Sequence, residues 1–98
     1  MSVAIITGGG SGIGKNVAIA LGKAGYSVVL AGRRQEALDT VVQLIDADGE
    51  SAMGIQTDVS SEDEVKNLFA KTVERCGRVD LLFNNAGSFG SAALLEDL

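Results

Sequence analysis

Val3-Ala4-Ile5-Ile6-Thr7-Gly8-Gly9-Gly10-Ser11-Gly12-Ile13-Gly14 is the stretch on whose reading the fold depends. Its first five residues are an apolar, β-branched run bounded by glycine, which reads as a buried strand. Five of the next seven residues are glycine, and Lys15 to Ala24 then follow with helical spacing. Glycine tolerates the positive φ values that a sharp strand-to-helix turn demands, and it removes Cβ atoms that would hold a ligand away from the main-chain N–H groups. The helix start that follows carries about half a positive charge. Strand, glycine turn and helix start together therefore form a candidate anion site. The plainer reading of the same residues is an ordinary connecting turn rich in glycine.

Outward from that turn, strands and helices alternate. The first helix is predicted from about Ser11–Ile13 to Ala24, with Ile13, Val17, Ala20, Leu21 and Ala24 on its inner face and Gly25 as its stop. Ser27–Ala31 is a second continuous apolar run, as expected of a strand covered on both faces. Gly32-Arg33-Arg34 closes it. A second helix is expected over about Gln35–Ala47, with Leu38, Val41, Val42 and Ile45 inward and Asp48-Gly49 at its end. The third strand, about Ser51–Thr57, is diluted by Gln56 and small residues and suits a sheet edge. Ser61-Glu62-Asp63-Glu64 reads as a capping box, in which the Ser61 hydroxyl and the Glu64 carboxylate satisfy each other's backbone donors. Its acids suit a helix start and a solvated cap better than a metal site. Val65, Leu68, Phe69, Val73 and Cys76 would line the inner face of that helix, with Gly77 ending it. A fourth strand, Val79–Phe83, leads into Asn84-Asn85-Ala86-Gly87, and residues 88–98 have no settled period.

This β-α-β-α-β-α-β order with apolar strands implies an α/β fold built on a parallel sheet with right-handed crossovers. The nearest layout is the first half of a Rossmann-like, doubly wound sheet with strand order 3-2-1-4. Helices one and two would lie on one face and helix three on the other. The ligand crevice of such a fold lies beyond the carboxyl ends of the strands. Four segments reach that rim: the glycine turn, Gly32–Arg34, Asp58-Val59 and Asn84–Gly87.

Composition narrows the function. With 98 residues the chain makes one domain at most. A net charge of −5, with Arg33-Arg34 the only basic doublet, offers no stripe for nucleic-acid phosphates. One cysteine and no histidine make a zinc site improbable and exclude an internal disulfide. No apolar run has transmembrane length and no signal peptide opens the chain, so no membrane role and a cytoplasmic location are expected.

Three glycine-loop types compete. The G-x-G-x-x-G fingerprint fails, because Gly8-x-Gly10 would need glycine or alanine where Ile13 stands. A P-loop fits from Gly9 to Gly14-Lys15 and then fails at Asn16, where a magnesium-binding hydroxyl belongs. The fourth strand also ends on Asn84-Asn85 rather than on a carboxylate for the metal. The third type is Thr7-Gly8-x-x-x-Gly12-Ile13-Gly14. With Asp58-Val59 and Asn84-Asn85-Ala86-Gly87, each at the end of a strand, the chain resembles the short-chain dehydrogenase/reductase family over residues 1 to about 90.

That resemblance implies an oxidoreductase that passes hydride between a nicotinamide cofactor and an alcohol or carbonyl substrate, homo-oligomeric when complete. Gly8, Gly12 and Gly14 would allow the turn and the pyrophosphate approach, with Ser11 and Ile13 lining it. Asp58 would accept from the adenine edge, with Val59 beside the ring, or else be a turn aspartate before a helix. Asn85, Ala86 and Gly87 would border the cofactor and steady the central sheet. An NAD site of this architecture usually carries an acid about twenty residues past the glycine loop, to accept from the ribose 2′-OH. Here Gly32 stands in that place, followed by Arg33 and Arg34. Room for a 2′-phosphate and a guanidinium to bind it favour NADP over NAD.

The catalytic parts of the family come later in its chains: an asparagine on the next helix, a serine after strand five and a Tyr-x-x-x-Lys pair. The only tyrosine here, Tyr26, precedes Ser27-Val28-Val29-Leu30, and Ser88 and Ser91 come too early for the serine. No catalytic residue is therefore expected within residues 1–98, which read as a partial dinucleotide-binding domain truncated before its catalytic half. A stand-alone nucleotide-binding or redox-sensing module is the alternative.

Overall fold

All five residues of β1 (Val3–Thr7) are buried, as an interior strand with helices on both faces must be. The computed structural model describes residues 2–8, 10, 12–46 and 51–84. After β1 come α1 (Gly12–Lys23), β2 (Ser27–Gly32), α2 (Gln35–Ile45), β3 (Ala52–Gln56), α3 (Glu62–Cys76) and β4 (Leu81–Asn84). The four strands form one sheet in the order β3-β2-β1-β4, and every pairing is parallel. Val3 stands opposite Ser27 and Thr7 opposite Ala31, while Ala4 to Thr7 face Leu81 to Asn84 on the other side. The Rossmann-like first half read from the sequence is the fold observed.

Side chains alternate across the sheet and build two cores. Ala4, Ile6, Val28 and Leu30 pack with Ala18 of α1 and with Leu38 and Val41 of α2. On the opposite face Val3, Ile5, Val29, Ala31 and Ile55 meet Val65, Leu68 and Phe69 of α3. Helices one and two thus share a face and helix three covers the other, as expected. Burying each large apolar side chain in these layers contributes about 1.5–3 kcal/mol. Among the described residues, no helix is long and apolar enough to cross a membrane.

Two helix faces differ from the sequence reading. On α1 the buried residues are Gly14 and Ala18, with Val17 and Leu21 partly buried against the same core. Ile13 is 66% exposed, and Ala20 and Ala24 are also exposed. The helix approaches the sheet through its small residues, so its inward stripe is rotated from the one that side-chain hydropathy picks out. On α3 the buried set is Val65, Leu68, Phe69 and Thr72, whereas Val73 is 45% exposed. Thr72 sits inside at little cost because its hydroxyl donates to the Leu68 carbonyl at 2.8 Å.

Several boundaries move for local reasons. The second strand runs one residue further, to Gly32, because Thr57 N donates to the Gly32 carbonyl at 2.7 Å. The expected end of helix two at Ala47 gives way to a stop at Ile45, where Asp46 takes an extended conformation. The Asp46 carboxylate then accepts from both Ser51 N (2.8 Å) and Ser51 Oγ (2.9 Å), tying the helix end to the start of β3. The fourth strand begins at Leu81 rather than Val79. Asp80 prepares its pairing: Asp80 N donates to the Val3 carbonyl at 2.8 Å, and the Asp80 carboxylate accepts from Val3 N at 2.8 Å.

Candidate functional site

The glycine turn leaves β1 at Thr7, whose buried hydroxyl donates to Asn84 Oδ1 at 2.9 Å. That bond couples the start of the turn to the end of β4. Gly8 then adopts φ of +69° and donates its N–H to the Ala31 carbonyl at 2.8 Å. Gly12, the first residue of α1, has φ of +59°, and a Cβ there would face open space. Both conformations are ones that side chains disfavour. Gly10 serves packing instead, since a Cβ would come within 3.0 Å of Ala37 Cβ on α2. A glycine cradle therefore opens at the N-terminus of α1, the geometry in which backbone N–H groups and the helix dipole meet a phosphate.

Beside the cradle lies a crevice of about 200 Å³, bordered by Gly8, Gly10, Gly32, Arg33, Arg34 and Ala37 among others. Arg33 also borders a second hollow of about 450 Å³ with Gln56, Thr57, Asp58 and Glu64. Its guanidinium, 73% exposed, lies 3.4 Å from Asp58 Oδ1. Arg34 occupies the N-cap position of α2 without a side-chain capping bond, and its carbonyl accepts from Leu38 N at 3.2 Å. The described residues thus bring Gly8, Gly32, Arg33 and Arg34 around one crevice and put Asp58 within reach of Arg33.

Asp58 is held as an Asx turn. Its Oδ1 accepts from Ser60 Oγ at 2.6 Å and from Ser60 N at 3.0 Å. Those bonds, followed by the attraction of Arg33, hold its carboxyl below the usual carboxylate range. Asp58 thus sits in a turn ahead of α3, with Oδ1 also within 3.4 Å of Arg33. The capping box is only half formed. Ser61 Oγ accepts from Glu64 N at 3.3 Å, but the Glu64 carboxylate accepts from Asp58 N at 2.8 Å, and Ser61 N donates to the Asp58 carbonyl at 2.9 Å. Glu64 therefore secures the Asp58 backbone rather than the cap. Val59 is half-buried against the α3 side of the core.

Ile13 and Gly14 fall in the first turn of α1, with Gly14 buried and Ile13 exposed. Ser11, Asn85, Ala86 and Gly87 lie outside the described residues. From the sequence Thr7 reads only as the start of the glycine motif, Gln56 as a residue diluting the third strand, Glu64 as a capping residue and Gln35 as the start of a helix, so the contacts these four make are not foreseen there. Each acts through a bond made by folding, and no local spacing announces such a bond.

The family model for short chain dehydrogenases matches residues 2–97. The chain belongs to that family. It is 44% identical over 98 residues to an uncharacterized oxidoreductase of Listeria monocytogenes, an alignment that takes in 97% of this chain and 40% of that protein. A metagenomic short-chain oxidoreductase solved in complex with NADP superposes with a TM-score of 0.77 at 36% identity, over 83% of this chain and 37% of that one. A short chain dehydrogenase/reductase from Burkholderia phymatum in complex with NAD gives 0.78 at 38% identity, over 83% of this chain and 29% of that one. The chain therefore spans about two fifths or less of the length of these dehydrogenases.

Proposed function

We propose that residues 1–98 form the first part of a dinucleotide-binding domain in an NAD(P)-dependent oxidoreductase, with NADP favoured over NAD. The observation that carries this reading is the crevice in which the glycine turn, Gly32 and the two arginines meet. Gly8 and Gly12 would bring backbone N–H groups to the pyrophosphate, with Ser11, Ile13 and Gly14 completing the turn. Gly32 leaves the ribose edge uncharged, and Arg33 would bind the 2′-phosphate, with Arg34 beside it. Asp58 and Val59 would border the adenine, and Asn85-Ala86-Gly87 the nicotinamide side. The cofactors bound by the two solved relatives support a nicotinamide dinucleotide in general; the arginines favour NADP in particular.

When bound, a nicotinamide cofactor would supply or accept the hydride, and an alcohol or carbonyl substrate would exchange a proton with a donor beside it. Residues 1–98 contain no Tyr-x-x-x-Lys pair to act as that donor. Their work is to hold the adenosine and pyrophosphate so that the reacting ring is presented in one orientation, a positioning effect that supplies much of the rate in such reactions. The proton donor would belong to a longer protein, as the partial coverage of the relatives suggests.

Arg33 can change partners readily, because its pair with Asp58 is exposed on both sides and such pairs are screened by water and salt. A charge-assisted bond to phosphate is worth roughly 1.5–3 kcal/mol, or about ten- to a hundredfold in affinity. The test is a titration of the protein expressed from its complete reading frame with NADP and NAD, before and after Arg33→Asp. NADP should bind more tightly at first and lose about ten- to a hundredfold in the variant. Equal initial affinities, or NADP binding that survives the substitution, would refute the assignment. If the intact protein binds cofactor but reduces no carbonyl substrate, the binding-module reading replaces the enzyme.

A further inference from the structure

We propose that Gln56 is a positioning residue for cofactor discrimination, acting by fixing the backbone of Arg33. The inference rests on the assignment of Arg33 to a 2′-phosphate and extends it to a side chain on a different strand. Three consecutive residues at the end of β3 grip the Gly32–Arg33 segment. Gln56 Nε2 donates to the Arg33 carbonyl at 2.9 Å, Thr57 N donates to the Gly32 carbonyl at 2.7 Å, and Asp58 Oδ1 receives the Arg33 guanidinium at 3.4 Å.

Gln56 is itself held from behind. Its backbone N–H donates to Gln35 Oε1 at 3.1 Å, and Gln35 Nε2 donates to the Gly54 carbonyl at 3.1 Å and to Asp39 Oδ1 at 2.8 Å. Gln35 thus covers two groups on the outer edge of β3, which leaves the Gln56 side chain directed at Arg33. At the opposite end of the segment Arg34 opens α2 without a side-chain cap, and its carbonyl accepts from Ala37 N and Leu38 N, both at 3.2 Å. Of these three contacts, the one to Asp58 engages the guanidinium and is given up when Arg33 turns to a phosphate. The Gln56 amide holds the main chain from which the arginine projects, and that bond can persist in both states. A guanidinium on a fixed stem loses less freedom when it binds.

The test uses Gln56→Met, which keeps the side-chain length and removes the donor, in the protein expressed from its complete reading frame. Adenosine 2′,5′-bisphosphate and 5′-AMP are the probes, alongside NADP and NAD. The variant should lose about three- to tenfold in affinity for the two ligands with a 2′-phosphate, the scale of one hydrogen bond. Affinity for 5′-AMP and NAD should stay unchanged, a split that a general loss of structure would not produce. In an Arg33→Ala background, Gln56→Met should have no further effect on either class. Parallel loss of both ligand classes, an unchanged ratio, or an undiminished effect without Arg33 would each overturn the proposal while leaving the role of Arg33 intact. A parent protein indifferent to the 2′-phosphate would overturn both.

Discussion

Asp80 joins β1 to β4 through both its backbone and its side chain, and its charge makes that joint sensitive to acid. The bond from Val3 N, then the contact with Arg78, hold the Asp80 carboxyl below its ordinary value of 3.8. Asp58 is lowered in the same direction, chiefly by Ser60. A carboxyl with a depressed folded pKa binds fewer protons folded than unfolded, so stability rises with pH through that window. Both contributions are present above the unfolded value and are lost as pH falls through the folded one. Thermal midpoints measured from pH 6 to pH 3 should therefore drop below about pH 4. Asp80→Asn keeps an acceptor for Val3 N and removes the titration, so it should flatten the drop; an identical slope in the variant would refute this account. The role of Asp80 was not legible in the sequence. A carboxylate next to a strand reads as solvated until folding brings the N-terminus of β1 beside it. The glycines were legible because a backbone demand such as φ of +69° at Gly8 narrows the choice of residue directly.

At the scale of single elements, β3 shows why a weak strand can be a specific one. Its small residues look like dilution, yet a Cβ at Gly54 would stand 2.8 Å from Leu38 Cβ and 3.2 Å from Gln35 Nε2. The missing side chain is what lets α2 lie against the sheet and lets Gln35 cover the edge. Gly54→Ala should raise intrinsic strand propensity and still destabilise the fold by about 1–3 kcal/mol, the usual cost of overpacking. Urea denaturation would show it, and a gain in stability would mean that α2 shifts freely. Strand order and helix sides were readable, because alternating apolar runs leave few parallel arrangements. The inner face of α1 was not. Gly14 and Ala18 carry little hydropathy, and only the closeness of helix and sheet makes them the buried pair. Thr72 replaced Val73 for a related reason, since a threonine that bonds its own helix backbone can be buried as readily as an apolar residue.

At the scale of the molecule, the sheet separates two cores of unequal support. One face carries two helices, whereas the other is covered among the described residues by α3 alone. Leu68 is fully buried there, so Leu68→Ala should cost about 2–5 kcal/mol. Among the described residues β4 pairs only with β1, and its outer edge is a template for another strand. A polypeptide of residues 1–98 alone should therefore self-associate and bind cofactor weakly. It should also turn over no alcohol or carbonyl, because hydride transfer requires a positioned proton donor and these residues carry no Tyr-x-x-x-Lys. Light scattering on the purified 98-mer, together with NADPH oxidation in the presence of a carbonyl substrate, tests both statements. A monomer that oxidises NADPH would overturn the division of labour proposed here. The enzyme reading requires a Tyr-x-x-x-Lys on a later helix of the complete reading frame, as in the family pattern. Replacing that tyrosine with phenylalanine should abolish turnover while leaving the cofactor affinity proposed for Arg33 and Gln56 unchanged.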